Sequence, residues 1–202
     1  MVSTLKVNKI QIPNSDSDVI SLDASSGNIT LAAGKTLHAP GHVMQVKYAQ
    51  VTQTFTQSLT ANTSTILGSA VFTLDITPSS TSSIIKLDSH IFHEWSNQTY
   101  ATEAVWFFYR DSTLLRAPTE GNRACGISMS RLTHHSNDAT STPEMVYYTY
   151  FDAPSTTSQI TYKVGVRVYA NSTLYVNRTV NDTNNTQAER GISFISATEI
   201  AQ

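Results

Sequence analysis

The sequence predicts an all-β protein: a C-terminal β-sandwich head, jelly-roll-like, preceded by a short β-rich oligomerising stem. Three observations carry this. Apolar and polar side chains alternate with a period of two in stretch after stretch, no stretch has a convincing 3.6-residue period, and Ser plus Thr make up about a quarter of the chain, a bias toward strands and polar loops. At 202 residues the chain can bury one good core, with room for a small appendage.

Residues 1–41 differ from the rest and contain no aromatic side chain. Short apolar alternations (Leu5 and Val7, Ile10 and Ile12, residues 19–22, Ile29 and Leu31) are separated by turn-forming clusters at 13–18, 25–28 and 33–35. Each such strand is too thin to cover its own apolar side, and packing against copies of itself about a symmetry axis is the simplest remedy. Leu5, Val7, Ile10, Ile12, Ile29 and Leu31 are therefore expected at a subunit interface; the alternative is a disordered tail. Pro40-Gly41 reads as the joint, with the head occupying residues 42–202.

In the head, strand signals come at regular intervals. Residues 43–57 read as one alternating run, and Phe72, Leu74 and Ile76 share one face of the next. The organising strand is 83–95. Ile85, Leu87, Ser89, Ile91, His93 and Trp95 lie on one face, and Ile84, Lys86, Asp88, His90, Phe92 and Glu94 on the other. Residues 104–109 are apolar on both faces, so they should be covered on both sides, which puts Trp106 and Phe107 among the expected subunit contacts. Residues 112–116 can pair back on them; 126–132 and 145–151 are further strands. Residues 160–169 alternate most cleanly and read as a hairpin with 174–176. The last strand, 191–200, should pin the C-terminus in a sheet.

Composition narrows the function. Only 14% of residues are charged and the net charge is −2, which supplies no electrostatic footprint for nucleic acid or anionic lipid. No window is long and apolar enough to insert in a membrane, and residues 1–12 lack the apolar core of a signal peptide. Seven Asn-X-Ser/Thr triplets are expected to go unglycosylated. The one cysteine, Cys125, permits no internal disulfide and reads as a buried small side chain.

No constellation nominates an enzyme. His90 and His93, followed by Glu94, have a spacing that would suit a helical zinc site, but on a strand they point to opposite faces. His38 and His42 flank Pro-Gly rather than sharing a helix face. His134, His135 and Asn137 fall in a polar loop at 134–138. No Gly-rich phosphate cradle, nucleophile elbow or spaced carboxylate pair is present. The expectation is a non-enzyme with no cofactor and no metal. The remaining handle is aromatic: Trp95, Tyr100, Tyr147, Tyr148, Tyr150 and Phe151 include more rings than one face of a small sandwich requires. Rings beside amides and hydroxyls suit sugar or protein surfaces, although core or subunit contacts would also use them. Trp95, Tyr100, His134, His135 and Asn137 are the candidate receptor contacts.

Residues 3–10 (STLKVNKI) and 34–46 (GKTLHAPGHVMQV) resemble the start of many tail-fibre-like and appendage proteins of bacteriophages, especially phages of marine bacteria and cyanobacteria. Residues 150–164 and 195–200 resemble the same group. The resemblance implies a virion structural protein, a homotrimer with a slender N-terminal part and a globular β-sandwich head. It implies partners among other virion proteins of tail or capsid and, at the host surface, a glycan or protein. It carries over no catalytic residue. Long tail fibres usually begin with a larger docking region than the forty or so residues here, so a short fibre, a distal tip or a fibre on the capsid is expected. The alternative function is a decoration protein that cements or ornaments the capsid.

Overall fold

The computed structural model describes residues 9–11, 18–23, 25–33, 39–68, 70–96, 104–130 and 141–202. Every regular element among them is a β-strand, and every strand pairing is antiparallel. The chain divides into two compact units, Met1–Pro40 and Gly41–Gln202.

The N-terminal unit is a three-stranded sheet of β1 (Lys9–Gln11), β2 (Asp18–Leu22) and β3 (Ile29–Leu31) in that order. Ile10 pairs with Ile20, Ile20 with Leu31, and Leu22 with Ile29. Directly paired residues share a face, so these five apolar side chains lie on one side of the ribbon. Ile10 and Ile29 remain 49% and 70% exposed, and Leu31 is half-buried. The turn from β2 to β3 is held by Asp23, whose Oδ1 accepts from the backbone N–H of Ser25 and Ser26 and from the Ser25 hydroxyl. These bonds, the Ser25 hydroxyl first, hold the Asp23 carboxyl below the usual carboxylate range. Leu5, Val7 and Ile12 lie outside the described residues.

The C-terminal unit is a β-sandwich of two six-stranded sheets. The first contains β4 (Val43–Val51), β5 (Phe55–Leu59), β8 (Ile84–Trp95), β12 (Glu144–Asp152), β14 (Ser172–Val176) and β15 (Ser193–Ile200). It is built around β8. One edge of β8 carries β12; the other carries β15 along Ile84–His90 and then β14 along His93–Trp95. Outside these lie β4, paired with β15, and β5, paired with β14. The second sheet holds β6 (Thr65–Ile66), β7 (Thr73–Ile76), β9 (Ala104–Arg110), β10 (Thr113–Leu115), β11 (Ser128–Ser130) and β13 (Ile160–Val168). Here β9 and β13 form the centre; β10 and β11 share the free edge of β9, and β6 and β7 that of β13.

The core fills the space between the sheets. Ile85, Leu87, Ile91 and Trp95 of β8 meet Trp106 and Phe108 of β9 and Tyr162, Val164 and Val166 of β13 in one cluster. This is the inward face that alternation assigns to residues 83–95, with the strand beginning at Ile84. His93 lies in the same layer, its ring edge-on to Trp95 at 5.6 Å and to Trp106 at 5.0 Å. Trp106 Nε1 donates to Ser130 Oγ at 2.9 Å, which satisfies the indole where it is buried.

The sheets are also tied by a buried polar group. Asp152 of β12 receives Arg110 Nη1 of β9 at 2.9 Å and the Tyr162 hydroxyl of β13 at 2.7 Å. Burial, then the neighbouring Asp152, push the Tyr162 phenol well above its ordinary range, so it stays a donor.

Three expectations need correction. Residues 43–57 are not one strand: the run breaks after Val51 and resumes at Phe55. Residues 160–169 and 174–176 are not a hairpin, because β13 and β14 lie in different sheets and the intervening turn crosses the sandwich. The third concerns Trp106 and Phe107. Residues 104–109 are indeed covered on both sides, but by this chain itself, so neither side chain is available to a partner. Trp106 is 0% exposed in the main core; Phe107, also 0% exposed, joins Val105 and Tyr109 beneath Ile66 and Ile127. Gly165 makes room for it, since a Cβ there would lie 2.3 Å from Phe107 Cε2.

Candidate functional site

Inward alternation in the first sheet leaves an outward face, and its composition is unusual for a surface. Pair registers place it in rows across β4, β15, β8 and β12. Gln50, Phe194, His90 and Tyr147 form one row; Tyr48, Ser196, Asp88 and Thr149 the next; Val46, Thr198, Lys86 and Phe151 a third. Phe92 and Met145 pair beside the first row. Large apolar groups are left in water along this face: Tyr48 is 72% exposed, Met145 68% and Tyr147 60%, with Phe151, Val46 and Ile192 each at least half exposed. A sheet face facing only solvent would be polar at these positions.

The centre of the face is polar and fixed. Asp88 Oδ2 receives Lys86 Nζ at 2.8 Å, and Oδ1 receives the hydroxyls of Tyr147 at 3.0 Å and Thr149 at 2.5 Å. Burial alone would raise the Asp88 carboxyl, but Lys86, Thr149 and Tyr147 outweigh it and hold the group below the usual range. Asp88 thus orients the Tyr147 ring at its outer end. On the other side, Tyr48, Gln50, His90, Ile192, Phe194 and Ser196 line a shallow hollow of about 490 Å3, where Phe194 meets His90 edge-on at 5.9 Å. Phe92 is held by the backbone beneath it, since a Cβ on Gly191 would lie 2.1 Å from its Cγ.

Two buried carboxylates shape the rims of this sheet. Glu199 accepts from Ser79 N–H and Oγ, from Ser83 Oγ and from Gln45 Nε2, fastening the 77–83 turn to β15. Burial would raise it, and these donors hold it below its ordinary value. Glu94 accepts from Thr142 N–H at 2.8 Å and Val180 N–H at 2.6 Å, anchoring the segments that follow β14 and precede β12. Both carboxylates are held by backbone, hydroxyl and, at Glu199, amide donors in structural roles.

The candidate receptor contacts fare differently. Trp95 is 1% exposed and packs in the core, because it shares strand parity with Ile91 and His93. It is not a surface residue. Tyr100, His134, His135 and Asn137 lie outside the described residues. His90 and His93 point to opposite faces, as their spacing on a strand requires: His90 lines the outer hollow and His93 is buried. Tyr147, Tyr148, Tyr150 and Phe151 sit in β12, with Tyr147 and Phe151 outward and Tyr148 in the core. Sequence reading missed the outer face as a unit. The signal was the second, outward set of rings on the same strands: Tyr48, Phe92, Tyr147, Phe151 and Phe194.

No family model matches this chain, and no curated protein does. Among solved structures it is similar to a structure of infectious bursal disease virus, Gx strain, at a TM-score of 0.38 and 10% identity, over 100% of this chain and 42% of that one. It is also similar to the VP2 subviral particle of infectious bursal disease virus at a TM-score of 0.37 and 12% identity, over 90% of this chain and 42% of that one. The chain therefore spans less than half the length of either.

Proposed function

We propose that this chain is a structural protein of a bacteriophage virion, a homotrimeric fibre or fibre tip that contributes to host-surface attachment, and that the outer face of the first sheet is its contact with neighbouring copies. The observation that carries this reading is that face: aromatic and aliphatic side chains left in water around an ordered Asp88–Tyr147–Lys86 centre. Hydrophobic area of this kind is lost to water in a single chain and gained on association. The apolar side of β1–β3, with Ile29 70% exposed, supports the same reading for the stem. So does the resemblance of residues 3–10, 34–46 and 150–164 to phage appendage proteins.

The test is to locate this chain in a cryo-electron-microscopy map of the intact virion. Threefold density at the tail supports the fibre reading. Density spread over the shell replaces it with capsid decoration, and the outer face then becomes an assembly contact with the capsid.

A further inference from the structure

We propose a separate ligand site, for a saccharide bearing a carboxylate, on the outer side of the second sheet, where Arg116, Arg123 and Arg167 line a single hollow of about 510 Å3. The chain has a net charge of −2, so three guanidinium groups around one hollow are a local excess of positive charge that the overall balance conceals. One acidic group, Glu120, pairs with one of them. It reaches Arg123 only at 3.6 Å, with both side chains more than two-thirds exposed, a pairing that water largely screens.

The hollow is built rather than incidental. Arg167 lies on the outward face of β13, and its Nε and Nη2 donate to the backbone and side-chain oxygens of Asn62, both at 3.1 Å. Asn62 is itself held in a left-handed turn at φ 59°. These two bonds fix the plane of the guanidinium, and its Nη1 has no partner among the described residues. Arg116 Nη2 is steadied by Thr119 Oγ1 at 3.2 Å. Planar, fixed guanidinium forks are matched to the two oxygens of a carboxylate.

The rest of the lining selects for a sugar. Amides come from Asn62 and Asn122, and hydroxyls from Ser64 and Thr119. These are the short donors and acceptors that ring hydroxyls require. A second hollow of about 230 Å3 shares Asn62, Asn122 and Arg167 and is walled by Tyr169, which is 65% exposed and offers a ring face against which a pyranose can lie. The volume suits one or two sugar units.

The test is isothermal titration of the full chain with tetragalacturonide and with its methyl ester, which keeps every ring hydroxyl and removes the charge. The acid is expected to bind at least about tenfold more tightly than the ester, the worth of one charge-assisted fork. Arg116→Gln and Arg123→Gln should each weaken the acid by about that factor and leave the ester unaffected, with unchanged melting temperatures, since both side chains sit on the loop joining β10 to β11. Equal binding of acid and ester overturns the proposal. So does displacement of the tetragalacturonide by an equal concentration of inorganic sulfate, which would make the hollow a general anion patch. The assay needs neither a virion nor an assembled fibre, so its failure leaves the proposed function standing, and placement of the chain elsewhere leaves this site standing.

Discussion

Asn177 follows Val51 by 126 residues, yet its side-chain amide donates to the Val51 carbonyl at 2.7 Å. The same nitrogen donates to the Gln53 carbonyl at 3.0 Å, and Oδ1 accepts from Ser193 Oγ at 2.6 Å. Ser193 Oγ accepts in turn from Phe92 N–H, and Asn177 N–H donates to the Phe92 carbonyl. One fully buried side chain therefore closes the gap where β4 gives way to β5 and β14 to β15. Its backbone is left-handed, at φ 59°, a conformation that asparagine tolerates better than most residues.

Asn177→Ala should cost about 3 kcal/mol or more, because it orphans buried carbonyls and forces a Cβ residue without a local hydrogen bond into left-handed backbone. Asn177→Gly loses the same bonds but not the backbone compatibility, and should be less damaging by about 1 kcal/mol. Urea denaturation of the two variants side by side measures the difference.

Gly165→Ala should destabilise the head by about 1–3 kcal/mol, because the added methyl meets Phe107 and Tyr109. The cost should shrink when Phe107 is also truncated, so the two changes are non-additive in a double-mutant cycle. Additive losses would place the Phe107 ring elsewhere.

Trp106→Ala should cost about 3–5 kcal/mol, the usual penalty for emptying a fully buried indole site, and it also strands the Ser130 hydroxyl. Chemical denaturation of the isolated chain suffices, since the residue is buried within one protomer.

His93 supplies a pH dependence whose sign is fixed by burial. Burial lowers its pKa from 6.5 to about 4, with only the Ile91 carbonyl near Nδ1 opposing. The folded state therefore keeps the ring neutral while the unfolded chain takes up a proton. Stability is whole above pH 6.5 and falls as the pH drops toward 4, by ~3 kcal/mol across the window. Asp88 and Glu199, whose folded values are depressed below 3.8 and 4.5, begin to lose their contributions only as the pH falls to about those values, at the acid end of the window. His93→Phe, which keeps a ring in the slot, should flatten the slope between pH 6.5 and 4 in thermal melts.

The sequence made the sandwich legible where one face alternates strictly. The inward set of residues 84–95 follows from parity alone, and the doubly buried 104–109 from its unbroken apolar run. Parity does not say which strand lies alongside. The turn at 169–171 looks the same whether it closes a hairpin or crosses between sheets, and the crossing won because β8 and β5 supply the partners of β14. The break at 52–54 depends on Asn177, too distant in sequence for any window to register. Trp95 counts among the candidate receptor contacts as a surplus ring, although its parity with Ile91 and His93 already places it on the inward face. The arginine hollow draws on the 62–64 turn, the 116–123 loop and Arg167, which only the fold brings together.

The central claim is that the outer face of the first sheet joins copies of this chain. Sedimentation velocity at micromolar concentration tests it most directly, on the full chain and on the double variant Met145→Asp, Tyr147→Glu. The account predicts a trimer for the parent chain and a folded species of lower mass for the variant, because buried like charges on that face oppose closure. A parent chain that sediments as a monomer, or a variant that assembles as well as the parent, would contradict it.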